Sequence, residues 1–288
     1  MLERIDRVQM AVPDAAAAAE GWAALLGAEP AAQDKVAGLG ARRTSLRIGN
    51  GWVELLEPDG AGAVADAVAS RGPHLFAAGA STHDLDALLA HIRRRGVDPL
   101  VEGGQAFLDA AATGGRGLRV VLSREQTLPA VGALDFFYEV TNLVADAPKA
   151  TAECVELFGL DASAFVPIDS AHYGYDGTLT LFDPEQLHRF EMIAPREPKN
   201  TMGRFFSKQG ESLYMAFAES RELGAIEERA RELRAGHTSE PRREDREGVE
   251  PNTVFLHPST RGGMMLGISG STLAWRWSGH PERVVEPA

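Results

Sequence analysis

The amino-acid sequence predicts an α+β protein of four βαβββ modules, arranged as two tandem halves. Three observations carry that expectation. One local order recurs along the chain: an apolar strand, a polar turn, an amphipathic helix and a glycine stop, with helices opening near residues 14, 84, 146 and 220. Those openings lie 62 to 74 residues apart, too far for a solenoid repeat and suitable for a larger supersecondary unit. A stretch at 123–133 containing Pro129 and Gly132 marks the middle, giving halves 1–128 and 129–288.

In the first module, residues 5–12 read as a strand, and an alanine-rich helix follows, capped by Asp14 and stopped at Gly27. A strand near Val36 comes next, then strands at 41–48 and 52–56 separated by Asn50-Gly51. The second module has a strand at 74–80, a helix at 84–95 with Leu85, Leu88, Leu89 and Ile92 at helical spacing, and a closing strand at 117–122. The third has a strand at 136–144, Asp146 as cap, Pro148 in the first turn, a stop at Gly159, and strands at 178–182 and 188–193. The fourth has strands at 212–217, 253–256 and 264–269 around a helix at 220–234. Residues 239–250 are almost all charged or turn-forming and read as a solvated loop. Trp275 and Trp277, at strand spacing in the tail, are expected to pack onto a neighbouring half or subunit.

Composition narrows the function classes. With 44% apolar and 24% charged residues the chain is expected to be soluble, and no apolar run is long enough to span a bilayer. MLERIDRV has no signal-peptide pattern, so a cytoplasmic location is expected. The single cysteine, Cys154, rules out disulfides within the chain and cysteine-rich zinc sites, and reads as a small core residue. A net charge of −12 disfavours nucleic acid and anionic membranes as partners. A small-molecule substrate and a possible homodimer remain.

Several segments carry a resemblance. FEMIAPREPKNTMGRFFSKQGESLYMAF (190–217) and NTVFLHPSTRGGMMLGIS (252–269), with IDRVQMAVPD and WVELLEP in the first module, resemble methylmalonyl-CoA epimerases and their relatives in the vicinal-oxygen-chelate, or glyoxalase-like, superfamily. The resemblance touches most of residues 4–270, clearest over 134–270 and weakest in the second module. It implies a cleft formed by paired modules. There, each first strand and each last strand would offer one ligand to a divalent metal, with positions left open for two vicinal substrate oxygens.

The family's first-strand ligand lies seven residues before the helix-opening aspartate, which places Glu139 ahead of Asp146 and Arg7 ahead of Asp14. The other second-half positions fall on Glu191, Tyr214 and Gly267, so the metal set, Glu139 and Glu191, is incomplete. In the first half, Glu54 holds the last-strand position, the second-module position falls near Ala77 or His74, and the closing one is Val121. Arg7 is expected to form an ion pair with Glu54 in place of a metal. The working cleft is therefore expected in the second half, with Glu139, Glu191 and Tyr214 as catalytic candidates. Two carboxylates converging in a low dielectric raise one pKa and suit acid–base chemistry. Strand alternation places Arg189 on the face of Glu191, and Phe137 and Thr141 on that of Glu139. Arg189, His188, His172 and His257 are the substrate-binding candidates, although His257 in Leu-His-Pro also matches a family turn. The resulting expectation is a small-molecule lyase or isomerase of epimerase-like type. The alternative is a non-catalytic, sequestering binding protein, and a ring-cleaving dioxygenase comes third because no two-histidine, one-carboxylate triad is present.

Overall fold

A computed structural model describes residues 1–246, 249–260 and 262–285. Each half is one eight-stranded sheet. The first contains β1 (Arg4–Ala11), β2 (Glu29–Val36), β3 (Ala41–Ile48), β4 (Gly51–Pro58), β5 (His74–Thr82), β6 (Leu100–Glu102), β7 (Gln105–Leu108) and β8 (Val120–Arg124), in the order β2-β3-β4-β1-β5-β8-β7-β6. The second contains β9 (Phe136–Leu143), β10 (Val166–Ser170), β11 (Tyr175–Leu181), β12 (Arg189–Pro195), β13 (Ser212–Ser220), β14 (His237–Glu240), β15 (Thr253–Leu256) and β16 (Met265–Gly270). Its order, β10-β11-β12-β9-β13-β16-β15-β14, repeats the first. Module one therefore pairs with two and module three with four, through antiparallel β1–β5 and β9–β13 seams.

The main helices obey their local signals. In α1 (Ala15–Leu26) the Asp14 carboxylate accepts from the Ala17 N–H, and Gly27 at φ 70° provides the left-handed stop that a side chain would resist. Asp84 caps α3 (Leu85–Arg94) and Asp146 caps α4 (Ala147–Phe158) in the same way, while α6 spans Leu223–Glu232. Two further helices, α2 (Ala63–Arg71) and α5 (Thr201–Gln209), precede β5 and β13. One apolar core runs through both halves, from Trp22 and Leu26 to Phe158 and Phe190, and Cys154 is buried in it.

Four short strands escaped the sequence pattern: β6, β7, β10 and β14. They lie at or next to the sheet edges; exposure removes the apolar alternation from β6, β10 and β14, while β7 is buried throughout and only four residues long. The expected loop at 239–250 begins inside β14, and its Arg246 is buried against Glu227. Residues 247 and 248 of that loop lie outside the described residues. Trp275 and Trp277 sit on a 3-10 turn, Leu273–Trp277, rather than a strand, and pack onto their own half.

Candidate functional site

The concave face of each sheet presents the residues the repeat places at its ligand positions. In the first half the Arg7 guanidinium donates to Glu54 Oε1 at 2.8 Å, to Asp6 Oδ2 at 2.7 Å and to Ser123 Oγ at 2.8 Å. The expected Arg7–Glu54 pair is present and forms part of a larger network. Gln9 donates to Glu54 Oε2 at 2.8 Å, Gln105 donates to Glu54 Oε1 at 2.6 Å, and Arg43 bridges Gln105 to Asp34. Burial opposes the charge on Arg7, yet Asp6 and Glu54 outweigh it and raise its pKa.

Asp6 reaches this network because β1 shifts register between Ile5 and Arg7, so two successive side chains share a face. The same shift recurs in the seam of β9 with β13, between Phe217 and Ala218. It corrects one expectation from strand alternation: Phe137 joins the main core, and Tyr138 faces the cup beside Glu139. Arg189 then lies over the Tyr138 ring at 4.9 Å and donates to Glu139 Oε2 at 2.7 Å. Both partners are buried, with side-chain exposures of 0% and 2%. Thr141 donates to Glu191 Oε2 at 2.5 Å. Burial, then repulsion by Glu139, raises the Glu191 pKa well above the usual carboxylate value.

The remaining candidates lie apart from this pair. Opposite Glu139 the register places Phe217, because β13 bulges at Tyr214. The Tyr214 ring packs edge-on against Phe205 at 4.9 Å, and none of its described contacts joins it to either glutamate. The Phe217 ring occupies the space a side chain at Gly267 would need, just as the Arg7 stem occupies that of Gly79, the residue opposite Arg7. His188 is buried against the Phe136 ring, and burial together with Arg4 and Arg189 lowers its pKa to about 3. His172 is exposed and packs on Tyr173, while His257 sits beside Gly236, just past β15.

These residues do not fit a divalent metal. Of the four second-half positions, Glu139 already faces a guanidinium with no access to water, Glu191 is buried against Thr141 with its charged form disfavoured, and the other two hold a phenyl ring and a glycine. Among the described residues no group of three or more His, Cys, Asp or Glu converges as a ligand set.

The larger of two cavities lies in the first half. A cavity of about 670 Å³ is bounded by the β1–β5 seam, α2 and the segment before β6, with Leu39, Phe76 and Phe107 among its apolar walls. Arg71, His74 and Arg119 also line it, and the fully buried Gln9 closes its floor. Sequence reasoning offered His74 only as a shifted ligand position and missed Arg71 and Arg119, since no local pattern links a helix end to the start of a strand 48 positions away. In the second half, Ala274 and Trp275 of the tail pack with Tyr138 and Leu187, while Tyr173 donates to Glu240 across the opposite rim. A smaller cavity of about 340 Å³ beside Asp146 and Asp176 is lined by neither glutamate.

Residues 4–113 match the family model described as Glyoxalase/Bleomycin resistance protein/Dioxygenase superfamily. The first half belongs to that superfamily. The second half repeats its sheet order, so the chain is two tandem copies of the glyoxalase fold. A mutant 4-hydroxymandelate synthase from Streptomyces coelicolor superposes with a TM-score of 0.63 at 15% identity, covering 99% of this chain and 100% of that one. A fusion of a xylose isomerase-like TIM barrel with 4-hydroxyphenylpyruvate dioxygenase gives 0.65 at 13% identity, over 94% of this chain and 49% of that one. Methylmalonyl-CoA epimerase of Streptomyces coelicolor, in complex with 2-nitronate-propionyl-CoA, is 27% identical over 43% of this chain and 100% of its own, with a TM-score of 0.38. No curated protein matches the chain. Among the described residues no helix is long and apolar enough to cross a membrane.

Proposed function

We propose that this glyoxalase-fold chain is a small-molecule binding protein of the sequestering kind, with its ligand held in the cup of the first half. The observation that carries the reading is the cavity of about 670 Å³, within the range of roughly 300–1,000 Å³ that encloses small organic ligands. Two internal ion pairs support it. Arg7–Glu54 and Arg189–Glu139 fill the positions that superfamily catalysis would give to a metal, which turns those positions to structural use. The test is a thermal-shift screen of organic compounds on the wild type and on Ala67→Trp, which fills the cup from α2. Compounds that stabilise only the wild type and are recovered unchanged by mass spectrometry support binding without turnover.

A second reading, lyase or isomerase chemistry, is favoured by the raised pKa of buried Glu191 next to Glu139. It predicts a product in the same screen that disappears in Glu191→Gln. The proposal also divides the chain into units 1–128 and 129–288, places it in the cytoplasm, and allows a homodimer, which light scattering would read directly.

A further inference from the structure

Buried arginines in this protein are paired almost everywhere. Arg7, Arg43, Arg189 and Arg246 each face a carboxylate. Arg71 and Arg119 are the contrast. Both are half-buried in the first-half cup, and among the described residues neither makes an ion pair. The Arg71 Nε is buried without a hydrogen-bond partner. Their guanidinium groups lie over aromatic rings instead, Arg119 at 4.7 Å from Phe76 and Arg71 at 5.9 Å from Phe205.

Burial lowers the pKa of both; Arg119 also repels Arg71, while Asp109 offsets part of the effect of burial at Arg119 without forming an ion pair. Between them His74 is held neutral, by burial first and then by the two arginines, with its Nδ1–H donated to the Gly72 carbonyl at 2.8 Å. The cavity does have carboxylates, Asp66, Asp98 and Asp109, but all three are exposed. Asp98 is bound to Arg93 at 3.0 Å, and Asp109 accepts from the Ala112 N–H at 2.9 Å. In a chain with 41 acidic and 29 basic residues, two cations left unpaired inside one cavity are a concentrated local field. An incoming anion would relieve their repulsion and satisfy the stranded donors, while Phe76, Phe107 and Leu39 offer an apolar wall.

We infer that the first-half cup binds an apolar organic anion, with its carboxylate, sulfonate or phosphate held by Arg71 and Arg119 and its body against Phe76 and Phe107. The inference deepens the binding reading above and rests on it. The test compares two fluorescent probes of similar body: anilinonaphthalene sulfonate, which is anionic, and N-phenyl-1-naphthylamine, which is neutral. The wild type is expected to bind the sulfonate more tightly, with that preference shrinking as salt is raised. Arg71→Gln and Arg119→Gln should each weaken the sulfonate roughly tenfold and leave the neutral probe unchanged. Displacement by 1-naphthoate or by 1-naphthyl phosphate then tells a carboxylate from a phosphate ligand. Equal binding of both probes, insensitive to salt, overturns the anion inference even if a variant fails to fold. In that outcome the cup reading stands if Ala67→Trp abolishes the neutral probe, and falls if neither probe depends on the cup.

Discussion

The two halves use the same scaffold positions with opposite polarity. In the first, the cation is on the first strand (Arg7) and the carboxylate on the last strand of its module (Glu54). In the second, the carboxylate is on the first strand (Glu139) and the cation on the module's last strand (Arg189), two residues before the counterpart of Glu54. Glu191, the counterpart of Glu54, therefore has no ion-pair partner of its own, and burial and Glu139 raise its pKa. The hydrogen bond beside it survives the exchange, since Gln9 serves Glu54 as Thr141 serves Glu191. What differs is where space remains. The first cup keeps a cavity walled by Phe76 and Phe107, while in the second Phe217, Tyr138 and the tail fill the sheet's concave side.

The strongest test of that polarity exchange is removal of each cation. Arg7→Met takes the nearest cation from both Asp6 and Glu54, leaving Glu54 with Gln9, Gln105 and Arg43 at 3.6 Å, whereas Arg189→Met takes it from Glu139 alone. Denaturant unfolding should show losses of about 3–5 kcal/mol, with Arg7→Met at the upper end and Arg189→Met at the lower. A larger loss for Arg189→Met would break the comparison. Next in size, Trp275→Ala should cost about 3 kcal/mol by opening the tail's contact with Tyr138 and Leu187. A loss under about 1 kcal/mol would show that the tail does not close the second cup.

Titration sharpens the contrast. The folded pKa of Glu191 is raised above its ordinary value of 4.5, so the folded state holds a proton the unfolded chain has released. Its contribution is fully present below pH 4.5 and is lost as pH rises toward the folded pKa, at about 1.4 kcal/mol per pH unit. Glu191→Gln should flatten this dependence, and an unchanged slope would remove the proton from Glu191. The smallest expected effect is shared by both halves. Asp14→Ala and Asp146→Ala should each cost about 1 kcal/mol, read as matched shifts in thermal unfolding.

The legible parts of the fold were those encoded locally. Asp14 with Gly27 and Asp146 with Gly159 lie within a helix length of what they terminate, so their spacing alone marked two helices. Counting back from the same aspartates placed Arg7 and Glu139 on the concave faces, and the Arg7–Glu54 pair followed. The count failed for Tyr214 because a bulge adds a residue that no local pattern announces, and Phe217 takes the place opposite Glu139. Helix α2 was missed as well: AVADAVASR buries only Val64, so its apolar periodicity is faint.

By itself the sequence determined the module order, the capped helices and which ionisable residues occupy the repeated positions, because these depend on neighbours within a few turns. Only the tertiary structure decided that Glu139 is bound by Arg189, that Phe217 covers Gly267, that the tail seals the second cup, and that Arg71 and Arg119 share an open first one. Each of those outcomes depends on side chains from separate strands or helices meeting across the concave face of a sheet. Register, bulges and the volume of rings arriving from distant parts of the chain fix such meetings, and these quantities leave no periodic trace along the chain.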